Sequence, residues 1–116
     1  MSDPDCIFCK IVAREIPADI VAESDTAIAF RDIAPQAPVH VQVIPKDHHR
    51  NVAEVAAAGD VDVGDLFRLA VEVAQVEGVA DGGYRLVANT GEAAFQTVFH
   101  CHIHVLGGRP MGWPPG

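Results

Sequence analysis

Three histidines alternate with other residues near the C-terminal end of the chain, in the segment QTVFHCHIHVL at residues 96–106. Successive side chains of a β-strand point to opposite faces of a sheet, so a strand here places His100, His102 and His104 on one face. The opposite face then consists of apolar side chains, namely Phe99, Cys101, Ile103 and Val105. The pattern therefore predicts a strand with one core-facing side and a row of imidazoles on the other side.

Four more segments have the composition and alternation of strands. They are predicted over residues 20–23, 26–31, 39–44 and 84–89. In the third, Val39, Val41 and Val43 share one face, whereas His40, Gln42 and Ile44 share the other. The strands occur mainly in neighbouring runs, which predicts an α+β fold with a five-stranded antiparallel sheet. A length of 116 residues fits one domain, predicted over residues 1–116.

Helical spacing predicts two short helices and one long helix. The short helices are predicted over residues 6–13, with Asp5 as N-cap and Ile7, Phe8 and Ile11 turned inward, and over 51–58. The long helix is predicted over 62–77, with Asp62 as N-cap and Gly78 beyond its end. Its apolar stripe consists of Val63, Leu66, Phe67, Ala70, Val71 and Ala74, widened by Leu69, Val73 and Val76. A stripe this wide predicts burial on two sides, and hence a subunit contact.

The charge balance restricts the possible partners. Eight Lys and Arg residues against sixteen Asp and Glu residues give a net charge of −8. A nucleic-acid polymer or an anionic membrane surface requires a basic face, so neither is a predicted partner. A single nucleotide is compatible with this charge, because a few local donors suffice to hold one phosphate. The chain begins without a basic and apolar leader, which predicts a cytoplasmic location, where three cysteines are expected to be thiols or metal ligands.

The row of histidines allows three interpretations. It could be a solvated surface, a shared metal site, or a centre in which one imidazole attacks phosphorus while its neighbours fix its tautomer and move protons. The spacing does not distinguish the metal site from the catalytic centre.

A second group of potential metal ligands begins at Cys6-x-x-Cys9, which has the spacing of a zinc knuckle. Two cysteines supply half of a tetrahedral site, and the remaining ligands would be His100 and either His48 or His49. The pair could instead be core thiols or a redox pair, although no strand precedes Cys6 as the redox motif requires.

The sequence resembles the histidine triad (HIT) family, and within it the Hint branch of nucleotide-binding proteins and purine nucleoside phosphoramidases. The resemblance rests on six segments: CIFCKI (6–11), EIPA (15–18), AFRDIAPQAPVH (29–40), VIPK (43–46), HCHIHVL (100–106) and VLGGRPMGWPPG (105–116). It implies cleavage of the phosphorus–nitrogen bond of a nucleoside phosphoramidate, such as an AMP–amine conjugate, through a covalent nucleotidyl-histidine. It also implies a purine nucleotide ligand such as AMP or GMP, and a homodimer in which two five-stranded sheets join.

The resemblance also implies roles for the histidines. His102 matches the nucleophile, and His104 matches the residue that contacts the phosphate and assists proton transfer. His40 matches a supporting histidine on the neighbouring strand. His100 matches the first residue of the row, which orients the others or, in relatives that bind zinc, is a ligand. With Cys6 and Cys9 present, the resemblance favours His48 over His49 and implies a structural zinc held by Cys6, Cys9, His48 and His100, with no metal required for the chemistry.

Further residues match nucleotide contacts of the family. Asp32 matches the acceptor for the ribose hydroxyls. Phe8, Phe30 and Ile33 match the apolar walls around the base, and Asn89, Gln96 and Thr97 match polar contacts to the phosphate. Trp113 matches a C-terminal aromatic residue that reaches the partner subunit's site. The chain departs from many relatives at Phe95, where they have a glycine that lets the backbone approach a phosphate. This departure favours a second hypothesis, a nucleotide-binding sensor or interaction protein with vestigial activity, and a zinc-dependent hydrolase is a third.

Overall fold

The computed structural model describes residues 2–116, and its strands form one antiparallel sheet in the order β1-β2-β3-β5-β4. The strands are β1 (Ile20–Glu23), β2 (Ala27–Arg31), β3 (Val39–Pro45), β4 (Tyr84–Val87) and β5 (Ile103–Gly107). The helices are α1 (Ile7–Val12), α2 (Val52–Ala58) and α3 (Asp60–Val76), and a 3₁₀ turn spans Glu92–Ala94. The predicted α+β class with five antiparallel strands is therefore confirmed.

The last strand is shorter than its prediction over residues 96–106. It begins at Ile103, so His100 and His102 lie in the segment before it, where residues 98–100 form a bend, and only His104 lies within the strand. The reason is that the backbone there runs beside the loop after β3, where the Cys101 N–H donates to the His49 carbonyl, rather than along another strand. The side chains still alternate, and Cys101, Ile103 and Val105 are buried in the main core.

The beginnings of α1 and α3 differ from their predictions. Cys6, not Asp5, caps α1, because its Sγ accepts a hydrogen bond from the Cys9 N–H at 3.4 Å. Gly59, not Asp62, precedes α3: this single glycine, with φ of 137°, is the whole connection between α2 and α3. The long helix therefore begins at Asp60, and Asp62 lies within its first turn. A carboxylate at this position stabilises the helix, because it interacts with the positive end of the helix dipole.

The sheet separates two apolar layers. On one face α3 packs against β1, β2, β3 and β5, and its buried residues are Leu66, Leu69, Ala70, Val73 and Ala74. On the other face α1 packs Phe8 and Ile11 against Ile28, Phe30 and Ile44, whereas Ile7 is half exposed rather than turned inward. The predicted faces of β3 are confirmed, since Val41 and Val43 belong to the first layer and Ile44 belongs to the second.

One side of α3 stays uncovered in the single chain. Phe67 and Val71 are 45% and 42% exposed, and Val76 is more exposed still. The sheet covers one arc of the helix, centred on Leu66 and Ala70, so the predicted stripe lies only partly in the core. Among residues 2–116, the helices are all too short or too polar to cross a bilayer.

Candidate active site and metal centre

A cavity of about 680 Å³ opens beside the end of the sheet where the histidine row lies. Eight of the predicted site residues line it: Phe8, Asp32, Ile33, His40, Asn89, Thr97, His102 and His104. Its lining also includes Gln36, Gln42, Phe95 and Val98, none of which was predicted to contact a ligand. The volume lies within the range of small-molecule sites.

His102 is held in one tautomer by the backbone of the same segment. Its Nδ1 lies 2.8 Å from the carbonyl oxygen of His100. A carbonyl only accepts, so Nδ1 carries the proton and Nε2 keeps its lone pair. The ring is 6% exposed and packs edge-on against Phe8, with ring centroids 5.4 Å apart. His102 therefore presents an unprotonated Nε2 on a ring that lines the cavity.

His40 and His104 have the opposite arrangement. The Gln36 N–H donates to Nδ1 of His40 at 3.0 Å, which places the proton of the neutral ring on Nε2. His40 Nε2 then donates to Nδ1 of His104 at 2.8 Å. Since Nδ1 of His104 is an acceptor, its Nε2 carries a proton. The rings of His102 and His104 lie 5.0 Å apart between centroids, so an imidazole with a free lone pair and an imidazole with a free N–H lie side by side.

Burial keeps these imidazoles neutral. It lowers the pKa of His104 to about 4, with His102 and His40 acting in the same direction and Asp32 opposing. Burial likewise lowers the pKa of His102 and of His40, and in both cases nearby Asp32 opposes the shift. At neutral pH the row therefore has the lone pair and the N–H that its hydrogen bonds define.

Asp32 is anchored at the mouth of the cavity. Its Oδ1 accepts from the Ala34 N–H at 2.8 Å, and its Oδ2 accepts from Nε2 of Gln42 at 2.8 Å. Nε2 of His40 lies 3.4 Å from the same Oδ2. Each carboxylate oxygen can accept a further bond, so Asp32 is placed to receive hydroxyl donors from a ligand. The sequence alternation of β3 had placed Gln42 on the same face as His40, which was the one indication in the sequence that Gln42 lies at the cavity.

The predicted apolar walls occupy two layers. Phe8 lines the cavity, and Phe30 lies behind it, outside the lining, with ring centroids 5.3 Å apart in an edge-on contact. Phe30 is 4% exposed, so it supports the wall rather than forming its surface. Ile33 is fully exposed at the rim of the cavity.

Gln96 and Trp113 lie outside the cavity lining of the single chain. Gln96 is buried, and its Oε1 accepts from the Gly91 N–H while its Nε2 donates to the carbonyls of Arg50 and Val98. Its side chain makes hydrogen bonds within the loop and to Arg50, and its contact with a phosphate stays a prediction. Trp113 is 84% exposed, which leaves it without a place in the site of its own chain.

The four residues of the predicted metal site come together from three parts of the chain. Cys6, Cys9, His48 and His100 each offer a ligand atom within 4.8 Å of all the others. Nδ1 of His100 lies 3.4 Å from Cys6 Sγ and 3.5 Å from Cys9 Sγ. A tetrahedral zinc with ordinary bond lengths requires edges of roughly 3.3–3.8 Å between such atoms. His49 is not a member of this cluster.

The donor set fits zinc. Nε2 of His100 donates to the Pro45 carbonyl at 2.8 Å, so its Nδ1 has a free lone pair that faces the sulfurs. Burial raises the pKa of the Cys9 thiol, and neighbouring Cys6 adds to the shift. A bound cation would offset both effects and hold the two sulfurs as thiolates. The N–H groups of Asp3 and Cys9 already point at Sγ of Cys9 and Cys6 respectively, each at 3.4 Å.

Comparison with known proteins agrees with the fold and the row. A family model described as HIT domain matches residues 13–111. The chain is 46% identical to the purine nucleoside phosphoramidase of Escherichia coli strain K12, over 93% of this chain and 91% of that protein. It is 45% identical to a 14 kDa zinc-binding protein of Zea mays, over 100% and 91% respectively. A HIT family hydrolase from Legionella pneumophila superposes with a TM-score of 0.92 at 46% identity, covering 97% of this chain and 100% of that one.

The five-stranded antiparallel sheet and its helices thus have the fold of a known class of proteins. This chain belongs to the HIT family.

Proposed function

We propose that this chain is a purine nucleoside phosphoramidase, which hydrolyses the phosphorus–nitrogen bond of AMP–amine conjugates or related nucleotide amides. The observation that supports this most directly is the pair of complementary tautomers, a free Nε2 on His102 beside a protonated Nε2 on His104. The name of the relative from Escherichia coli, at 46% identity, gives independent support.

In the first step Nε2 of His102 attacks phosphorus, and the bond between phosphorus and the amine nitrogen breaks. The amine would be a very poor leaving group as an anion, so it must take up a proton as it departs. His104 Nε2 supplies that proton, and Nδ1 of the same ring accepts the His40 Nε2–H more strongly in return. The negative charge left on the His104 ring offsets the positive charge that the His102 ring gains, because His102 keeps its proton on Nδ1 when Nε2 bonds to phosphorus. Positioned acid–base help of this kind accelerates reactions by roughly 10²–10⁴-fold.

In the second step water attacks the phosphorus of the nucleotidyl-histidine. The water gives one proton back to His104 as the bond between phosphorus and His102 breaks, and His102 regains its lone pair. The products are a free amine and a nucleoside monophosphate. The sum is one water added across one phosphorus–nitrogen bond, with both histidines restored.

The nucleotide would lie with its base against Phe8 and Ile33, backed by Phe30, and with its ribose hydroxyls at Asp32. Asn89 and Thr97 would contact the phosphate. His104 would serve both the phosphate and the leaving amine. These assignments follow the family resemblance, and the cavity supports them because all except Phe30 line it.

We propose a structural role for zinc in the cluster of Cys6, Cys9, His48 and His100. Zinc would tie the N-terminal segment to the loop after β3 and to the start of the histidine row. The side chain of His100 would be a ligand while its carbonyl fixes the tautomer of His102, so the metal would position the nucleophile without taking part in the reaction. The relative named as a zinc-binding protein supports this role.

We further propose a homodimer in the cytoplasm. The uncovered side of α3 at Phe67 and Val71 and the exposed Trp113 support a second subunit. The three cysteines are free thiols in the structure, as expected in a reducing compartment.

The decisive experiment replaces the proposed nucleophile. His102→Ala should abolish the release of AMP from an adenosine phosphoramidate while AMP still binds. His49→Ala is the matched control, since it removes an imidazole that lies outside the cavity lining and should keep turnover. Retention of turnover by His102→Ala would refute the assignment.

A second candidate function is a nucleotide sensor with vestigial activity. Phe95 favours it, because its bulk replaces the glycine that many relatives have beside the phosphate. Tight AMP binding by the unaltered protein, together with undetectable turnover of every phosphoramidate tried, would support the sensor. A zinc-dependent hydrolase that uses the row as ligands is disfavoured, since the three imidazoles of the row do not share one group of possible ligands: His100 joins the cysteines, whereas His104 joins Asp32 and His40.

A further inference from the structure

Phe95 combines two unfavourable features at the cavity. Its φ is 63°, in the left-handed region that L-residues with large side chains avoid. Its side chain is 79% exposed, although it is one of the largest apolar groups in the chain. Strained non-glycine residues tend to persist at functional sites, where the surrounding structure enforces them.

The loop that contains Phe95 is held by several hydrogen bonds. The Phe95 N–H donates to the Glu92 carbonyl at 2.9 Å, and the Gln96 N–H donates to the Gly91 carbonyl at 3.1 Å. The buried Gln96 side chain then joins the loop to Arg50, at the start of α2. The backbone at Phe95 is therefore held by hydrogen bonds, and a ligand that contacts the ring would lose little free energy in ordering the loop.

The position of Phe95 distinguishes it from the base walls. It precedes Gln96 and Thr97 in the chain and lines the same cavity as Asn89, His102 and His104. If Thr97 and Asn89 contact the phosphate, the Phe95 ring lies at the phosphate end, where the group that leaves phosphorus must also lie. This step rests on the proposed function.

The surroundings of Phe95 favour an apolar partner. Val98, two residues beyond Gln96, also lines the cavity. The one carboxylate of the lining is Asp32, whose oxygens already accept from Ala34 and Gln42. Among residues 2–116, no other acidic side chain lines the cavity to pair with a cationic leaving group.

We propose that the Phe95 ring forms a leaving-group subsite, which packs against apolar or aromatic amines as they are released from phosphorus. It would select arylalkylamine conjugates of the nucleotide over conjugates of ammonia or of small alkylamines. Contacts between aromatic rings, beyond the area that they bury, correspond to a preference of roughly 2- to 12-fold.

The test compares kcat/KM for two adenylate amides, one of 2-phenylethylamine and one of ammonia, in three proteins. In Phe95→Gly, the ratio of the two values should fall by roughly three- to tenfold. Glycine tolerates the positive φ, so this variant should fold at least as well as the original chain. Phe95→Trp should keep the preference, because it restores an aromatic ring.

The control is Val61→Ala, which removes an exposed apolar side chain at the first turn of α3, outside the cavity lining, and should leave the ratio unchanged. An unchanged ratio in Phe95→Gly would overturn the subsite. If Phe95→Gly changes from dimer to monomer while the ratio of the two kcat/KM values stays the same, the subsite is also overturned, because the ring would then belong to a subunit contact.

Affinities separate this inference from the proposed function. The two unreacted amides can be titrated into His102→Ala and into the double variant His102→Ala/Phe95→Gly. Absence of turnover in the unaltered protein would overturn the phosphoramidase. Even then, the subsite would be supported if His102→Ala binds the phenylethyl amide more tightly than the unsubstituted amide and the double variant does not. The subsite would be overturned if the ratio of the two affinities is the same in both variants.

Discussion

Nε2 of His40, in the third strand, lies 2.8 Å from Nδ1 of His104, in the fifth strand. The contact joins two residues 64 positions apart, and it determines which nitrogen of His104 carries a proton. The Gln36 N–H fixes the direction of the contact by donating to the other nitrogen of His40. A backbone amide in a loop thus determines the proton-donating atom that faces the cavity.

Replacing His40 should therefore impair proton donation more than ligand binding. In His40→Ala, Nδ1 of His104 loses its donor, and the ring can adopt the tautomer with no proton on Nε2. We expect kcat for an adenosine phosphoramidate to fall roughly 10- to 100-fold, below the full effect of losing a general acid. Steady-state kinetics measures this, and an unchanged kcat would show that His104 does not depend on His40.

We expect Arg109 to act as a positioning residue for the same chain of contacts. Its Nε and Nη2 donate to the Gln36 carbonyl at 3.2 and 3.1 Å. Arg109→Met should loosen Gln36 and lower kcat by roughly three- to tenfold, the order expected for losing hydrogen bonds from a charged group. The ¹⁵N chemical shifts of the His40 and His104 rings should move at the same time, which a general loss of stability would not produce.

Two further variants sharpen that test. Arg109→Lys retains a cation and one potential donor, so we expect it to recover part of the lost kcat. Arg68→Met is the matched control, because Arg68 is an exposed arginine paired with Asp65 on α3, away from the cavity. If the Arg109 and Arg68 variants behave alike, Arg109 has no special role.

Acid should destabilise the protein through the buried imidazoles. The pKa of His104 is about 4 in the folded chain and about 6.5 when unfolded, so between these values the unfolded state binds more protons. The contribution of His104 to the free energy of unfolding is therefore greatest above pH 6.5. It decreases as the pH falls from 6.5 to 4 and is constant below pH 4. The lowered pKa values of His40 and His102 act with the same sign.

Urea denaturation at several pH values between 7 and 4 measures this effect. His104→Gln removes one of the contributing groups and should flatten the slope, by at most about 1.4 kcal/mol per pH unit for one proton. Equal slopes in the two proteins would mean that His104 is not held neutral by burial.

Loss of a cysteine ligand should remove zinc and weaken the fold. In Cys9→Ser we expect the zinc content of the purified protein to fall well below one per chain. The melting temperature should fall by about 5 °C or more, because the cluster joins segments from both ends of the sequence. Elemental analysis and calorimetry provide the two measurements.

Cys101→Ala is the matched control for the metal. Cys101 is 2% exposed in the main apolar core, on the opposite side of the same segment from His100 and His102. We expect it to lose some stability through a small cavity and to keep its zinc. Equal zinc contents in the two variants would contradict the proposed cluster.

Local patterns in the sequence were sufficient for most of the fold. Side-chain alternation depends only on neighbouring residues, which is why the faces of Val41, Val43 and Ile44 were predicted correctly and the histidines do share one side. Where a prediction was wrong, a contact distant in sequence or a neighbouring element decided the outcome. Asp62 is not the N-cap because α2 ends at Ala58 and Gly59 alone separates it from α3. Strand β5 begins late because the Cys101 N–H donates to the His49 carbonyl in the loop after β3.

The sequence by itself determined the order and type of the elements and the row of three imidazoles, because both follow from residue type and short-range spacing. Its resemblance to the HIT family implied the four potential metal ligands, including His48 rather than His49. The tertiary structure decided which nitrogen of each imidazole carries a proton and that the Gln96 side chain braces a loop. These properties depend on hydrogen-bond partners such as Gln36, Pro45 and Arg50, which folding brings from distant parts of the chain.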